Sequence, residues 1–159
     1  MLQVNIAALT YLTYRILPSM RKSGCGAILN VSSAASLVPI PNFAVYAATK
    51  AFSLVLADAL WAELRPHGVD VLAVQPGSTR TPGWLSSQPV GQDAMPAMEP
   101  ADVVREALAA LGVESSVVPG ELNRQGAEAL ARMPRRQAIG MMSEITSRLV
   151  RNDRNSSNC

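Results

Sequence analysis

Tyr46 and Lys50 stand four residues apart in Val45-Tyr46-Ala47-Ala48-Thr49-Lys50-Ala51, so on a helix they lie one above the other on a single face. A phenol with an ordinary pKa of about 10 neither gives nor takes a proton readily at neutral pH. An ammonium beside it favours the phenolate and brings the group toward the working range. The pair therefore has the chemistry of a tyrosine general acid/base. Taken alone the spacing is common, and a core-facing tyrosine next to a solvated lysine gives the same letters. Three further positions change its meaning. Ser33 lies thirteen residues earlier, where the apolar run Ile28-Leu29-Asn30-Val31-Ser32-Ser33 meets small residues. Asn5 lies forty-one residues earlier, in Leu2-Gln3-Val4-Asn5-Ile6. Pro76 lies thirty residues later and opens Pro76-Gly77-Ser78-Thr79-Arg80-Thr81 at the end of another apolar run.

In this order and spacing the four features resemble the short-chain dehydrogenase/reductase family, over residues 2–111 and more loosely to 136. The resemblance implies an α/β fold: a partial Rossmann-like, doubly wound parallel sheet, its C-terminal half, with about three parallel strands and flanking helices. It implies a catalytic tetrad of Asn5, Ser33, Tyr46 and Lys50. Tyr46 would transfer the proton, Lys50 lower its pKa and hold the nicotinamide ribose, Ser33 orient the substrate oxygen, and Asn5 hold a water in a relay from Lys50. Cofactor contacts would come from Tyr46, Lys50, Pro76, Gly77, Thr79 and Thr81, with NADP or NAD bound and a small carbonyl or alcohol as substrate. Pro39, Ile40 and Phe43 would wall the substrate pocket. The family commonly pairs the helices corresponding to 2–20 and 44–65 with a second subunit, which implies a homo-oligomer.

The elements that must position these residues follow from periodicity. Leu2, Ile6, Leu9, Leu12, Ile16 and Leu17 recur at a helical period over residues 2–20, with Pro18 marking a last turn or a kink. Ser23-Gly24-Cys25-Gly26 is a turn, and residues 27–31 form a short strand expected to be buried on both faces, as parallel strands are. Residues 32–42, with Pro39 and Pro41, form a loop at the strand's C-terminal edge, where ligands bind in open α/β sheets. A long helix spans 44–65, a strand 69–75, and Pro76-Gly77 ends it where the backbone passes close to a ligand. Residues 82–100, rich in Gly, Pro, Ser and Gln, suggest a mobile lid. A helix from 100 to 111, a strand at 115–119 and helices at 122–132 and 134–151 complete the chain. Strand, helix, strand, helix, strand means parallel strands with right-handed crossovers. Residues 1–120 carry the catalytic portion, 121–151 a helical extension and 152–159 a disordered tail.

Composition agrees with a folded α/β domain. The 159 residues are 48% hydrophobic and 16% charged, enough to bury a core. Fourteen basic against twelve acidic residues, with 4% aromatics, gives no nucleic-acid signature. Two cysteines, Cys25 and Cys159, form neither a disulfide framework nor a metal-ligand spacing, so no metal is expected and a reducing, cytoplasmic setting is. His67, the only histidine, sits in the helix-ending Arg65-Pro66-His67-Gly68. No apolar run is expected to span a membrane, and the N-terminus lacks the marks of a secretory leader. The arginines at 132, 135, 136, 148 and 151, set among Met, Ile and Leu, would suit an acidic membrane surface. An amphipathic helix packed on the body explains them better.

A dinucleotide fold carries a glycine-rich phosphate turn in its first strand-helix unit. This sequence has none, nor the Asn-Asn-Ala-Gly type of turn expected before the Asn5 helix. The strand at 27–31 is then expected to leave an apolar edge and face uncovered. The chain alone is expected to bind NADP(H) or NAD(H) weakly or not at all. Two classes of function fit: an oxidoreductase present as an N-terminally truncated chain, or a non-catalytic remnant that docks on a full-length relative.

Overall fold

The computed structural model describes residues 1–86 and 96–156. Three parallel strands in the order β1-β2-β3 form the sheet: β1 (Gly26–Val31), β2 (Val69–Val74) and β3 (Ser116–Val117). Around them run α1 (Leu9–Ser23), α2 (Ala44–Leu64), α3 (Pro82–Ser86), α4 (Pro100–Ala110), α5 (Glu121–Arg132) and α6 (Arg135–Ser156). All the strands and main helices expected from the sequence are present.

β2 organises the core. Val69, Val71, Leu72, Ala73 and Val74 are all buried, because α2 covers one face of the strand and α4 the other. On the first face Ala57, Leu60 and Leu64 of α2 meet Val69, Val71 and Ala73, with Leu17 of α1 and Ile28 of β1. On the second, Leu72 and Val74 meet Val103, Ala107 and Ala110 of α4. Each fully buried Val or Leu here contributes about 1.5–3 kcal/mol over its exposed state.

β1 differs from expectation. Ile28 and Asn30 are buried, whereas Leu29 is 37% and Val31 65% exposed. The strand is buried on one face only, because α4 covers β2 and does not extend over β1. The uncovered apolar face expected from the sequence is therefore real.

Two glycines set the turns between helices and strands. α1 ends at Gly24 and the 3-10 turn after α2 (Arg65–His67) at Gly68, both left-handed, with φ of 66° and 68°. That region suits glycine. The two turns touch, and a Cβ on Gly68 would run into the Gly24 carbonyl oxygen. The N-terminal helix is continuous but begins with a π-helical segment, Gln3–Ala8. Pro18 lies inside α1, which continues to Ser23.

Three expectations need correction. Residues 44–67 do contain an 18-residue window of mean hydropathy 1.2, apolar enough for a membrane span by length and composition. One face of that helix packs on β2 through Ala57, Leu60 and Leu64, while Val45 and Val55 on it stay more than half exposed. The stretch expected to be an irregular lid contains the short helix α3, and its residues 87–95, Met95 among them, lie outside the described residues. The stretch expected to be disordered from Asn152 is helical as far as Ser156, since neither Pro nor Gly interrupts residues 141–156; residues 157–159 lie outside the description.

Candidate active site

Pairing continues past the ends of β1 and β2 and brings their exit loops side by side. Ser32 donates its N–H to Val74 O at 2.7 Å, and Ala34 donates to Pro76 O at 2.9 Å. Ser33 is therefore held next to the Pro76-Gly77 turn. Its extended backbone (φ −170°) precedes a 3-10 turn, Ala34–Ser36, and its Oγ accepts the Ala35 N–H at 3.1 Å. That cap uses one lone pair and leaves the hydroxyl proton free to donate.

Tyr46 and Lys50 occupy one face of α2, with Lys50 Nζ 5.8 Å from the Tyr46 ring centre. Nζ donates to Val31 O at 2.9 Å, which leaves two of its protons for other acceptors. Burial without a carboxylate partner holds the Lys50 ammonium below the ordinary lysine range. The helix is latched at this point. Ser32 Oγ and Ser53 Oγ each donate to Lys50 O at 2.8 Å.

Ser33, Tyr46, Lys50, Pro76, Gly77, Thr79 and Thr81 all line one cavity of about 530 Å³. Leu29, Val31, Val74, Val103 and Ala107 supply its apolar walls. Apolar walls with a few convergent polar groups are the usual make-up of a small-molecule site. Thr81 Oγ1 accepts the Trp84 N–H and so caps α3, while Thr79 Oγ1 donates to Gly77 O. Met98, just before α4, is stitched to this loop through Met98 N–H to Ser78 O and Arg80 N–H to Met98 O.

The remaining expected residues fall elsewhere. Asn5 is not in the large cavity. It lines a smaller one of about 160 Å³ with Lys50, Val31 and Ser53. Its amide donates to Thr49 Oγ1 at 3.0 Å, and Thr49 Oγ1 donates in turn to Tyr46 O at 2.8 Å. Pro39 and Ile40 line a separate cavity on another face of α2, and Phe43 lines neither. Phe43 occupies the N-cap position of α2, where its carbonyl accepts the Ala47 N–H, and its side chain is 45% exposed. Gly77, which lines the large cavity, also lies close to α5: a Cβ there would lie 2.6 Å from Asn123 Oδ1.

Ser32, Thr49 and Ser53 were not singled out by sequence. Each sits one to three residues from a marked position, but a small hydroxyl residue in a buried run carries no signal until its acceptor is known.

A family model described as short chain dehydrogenase matches residues 1–89. The chain is 30% identical over 146 residues to a 7beta-hydroxysteroid dehydrogenase of Clostridium sardiniense, covering 91% of this chain and 56% of that one. A solved 7beta-hydroxysteroid dehydrogenase superimposes with a TM-score of 0.80 at 30% identity, over 89% of this chain and 57% of its own. A Burkholderia cenocepacia J2315 short chain dehydrogenase in complex with NADP gives 0.69 at 32% identity, over 81% and 54%. The chain thus spans about half the length of the curated relatives it matches.

Proposed function

The chain belongs to the short-chain dehydrogenase family, and on that premise we propose that it serves hydride exchange between a nicotinamide cofactor and a carbonyl or alcohol substrate. The observation that carries this reading is the convergence of Ser33, Tyr46, Lys50, Thr79 and Thr81 on one cavity. The donor set fits the nicotinamide half of a dinucleotide: an ammonium with two free protons and two threonine hydroxyls at a cavity with apolar walls suited to a flat ring. Lys50 would hold the ribose, and Thr79, Thr81 and the Pro76-Gly77 turn the nicotinamide side. When bound, the cofactor supplies the hydride in reduction and takes it up in oxidation.

The protein's part is proton chemistry and orientation. Ser33 donates its free hydroxyl proton to the substrate oxygen and polarises the carbonyl. Tyr46 gives that oxygen its proton in reduction and takes it back in oxidation. The Lys50 charge stabilises the negative charge that develops on the Tyr46 oxygen. Asn5 acts through Thr49, which is bonded to the Tyr46 carbonyl, and the small cavity it shares with Lys50 gives a relay water a place.

NADP is the first cofactor to try, and a secondary alcohol or its ketone on a bulky ring system the first substrate, on the model of the relatives. Pairing with a second copy, or with a longer relative, through α1 and α2 is supported by Tyr11, Leu12 and Tyr14 on one helix and Val45 and Val55 on the other. All five are more than half exposed.

The test is deuterium transfer from 4-deuterated NADPH to a panel of cyclic ketones at millimolar cofactor, with the product alcohol analysed by mass spectrometry. Deuterated alcohol is expected with the wild type and, at least about 100-fold less, with Tyr46→Phe. No deuterium above a protein-free control, or equal transfer by Tyr46→Phe, would overturn the reading.

A further inference from the structure

Gly77 lines the Tyr46 cavity together with Pro76, Thr79 and Thr81. It is not one of the glycines with a positive φ, so backbone freedom does not explain it. Space does. A Cβ at this position would meet one side chain three times over: Asn123 Oδ1 at 2.6 Å, Cγ at 2.8 Å and Nδ2 at 2.9 Å. The amide of Asn123, on α5, fills the room behind the turn.

That amide is pinned. Its Nδ2 donates to Pro119 O at 2.8 Å and lies 3.5 Å from Met98 Sδ. With both amide protons directed there, Oδ1 is the end left to face Gly77. A flipped amide would set its oxygen against the Pro119 carbonyl. The anchor is itself rigid: Pro119 is fully buried, and the next residue, Gly120, has a φ of 85° and donates its N–H to Glu106 at 3.0 Å. Met98 carries the contact to the far end of the same loop. It donates its N–H to Ser78 O, accepts the Arg80 N–H, and bridges to Thr79 between them. One amide thus bears on the loop at Gly77 directly and at Thr79 through Met98.

We infer that Asn123 is a positioning residue for the nicotinamide site. Its amide is the wall behind the Pro76-Gly77 turn and sets where Thr79 and Thr81 present their hydroxyls. This role rests on the nicotinamide assignment of the Tyr46 cavity and extends it to α5, none of whose residues lines that cavity. A purely local role at the start of α5 would end at the Pro119 bond and leave Gly77 indifferent to residue 123.

The test is a double-substitution cycle in the isotope-labelled 159-residue chain, with amide resonances followed in the free protein and during titration with NADPH. Asn123→Ala should move the Gly77, Ser78 and Thr79 amides in the free chain and weaken NADPH binding at least about fivefold, the worth of one lost hydrogen bond. Gly77→Ala should weaken it at least about tenfold, because the methyl has to displace a pinned side chain. In the Asn123→Ala background the same methyl enters vacated space, so Gly77→Ala should there cost at most about twofold more. Additive effects, unmoved amides at 77–79 in free Asn123→Ala, or unchanged affinity in that variant would overturn the inference. A wild-type chain that binds no NADPH would remove the nicotinamide reading on which it rests, whereas wild-type binding that Asn123→Ala leaves intact would remove the role of Asn123 alone. A folded Gly77→Ala chain whose Asn123 side-chain amide resonances stay in place overturns the inference even if Asn123→Ala does not fold.

Discussion

The Ser32 hydroxyl donates to the backbone carbonyl of Lys50 at 2.8 Å, while the Lys50 ammonium donates to the carbonyl of Val31, the residue before Ser32, at 2.9 Å. The end of β1 and the first turns of α2 are thereby cross-linked in both directions. Ser33 comes next along the chain and Tyr46 one turn back along the helix, so this latch ties together the two side chains proposed to act on the substrate oxygen. Ser32→Ala should cost about 1 kcal/mol, read as a lower urea midpoint. The value stays modest because Ser53 Oγ still serves the Lys50 carbonyl at 2.8 Å. An unchanged midpoint would mean that the latch contributes nothing.

Lys50 gives a pH signature. Burial lowers its folded-state pKa relative to the unfolded chain. The folded state therefore binds fewer protons than the unfolded state between the two values. Stability should rise with pH as it passes through the folded pKa toward the ordinary lysine value, and be lower below it. Direct titration of the Lys50 side chain by NMR should show a midpoint below the ordinary lysine value, and Lys50→Met should lose this rise in stability. A Lys50 midpoint at or above the ordinary lysine value would contradict the desolvated setting.

Glu106 gives the same slope, stability rising with pH, but in the acid range and because its charged form is the stabilised one. Its carboxylate accepts the Gly120 N–H at 3.0 Å and pairs with Arg124 at 2.7 Å, tying the turn before α5 to α4. The Gly120 bond is the main reason its pKa lies below the usual carboxylate range, with Arg124 adding to it. The stabilisation is present above the unfolded carboxylate value and is lost as pH falls through the lowered one. Glu106→Gln should remove that acid-dependent component. At neutral pH it should cost under about 1 kcal/mol, since the pair is partly exposed and screened. Identical acid unfolding curves for the two proteins would refute this.

Tyr46, Lys50 and Ser33 were legible in the sequence because spacing along a helix and the end of an apolar strand fix where those side chains must go. The Pro76-Gly77 turn was legible as the end of an apolar strand, whereas Thr79 and Thr81 were marked by the family resemblance alone. Phe43 was not legible, because an N-cap residue turns its side chain by local backbone geometry and not by helical phase. The bond from Asn5 to Thr49 joins residues 44 apart in sequence and depends on how the π-helical segment at Gln3–Ala8 packs on α2. No periodicity encodes that. β1 misled for a different reason. Leu29 and Val31 carry the pattern of a strand covered on both sides, and among the described residues nothing covers the second.

The most direct measurement is an NMR titration of the isotope-labelled chain with NADPH, alongside Lys50→Met. The expected result is weak saturable binding, with shifts concentrated at Ser33, Tyr46, Lys50, Gly77, Thr79 and Thr81 and at least tenfold weaker in Lys50→Met. Shifts confined to other parts of the chain, none at millimolar NADPH, or the same affinity in Lys50→Met would contradict the assignment of this cavity to the nicotinamide half of the cofactor.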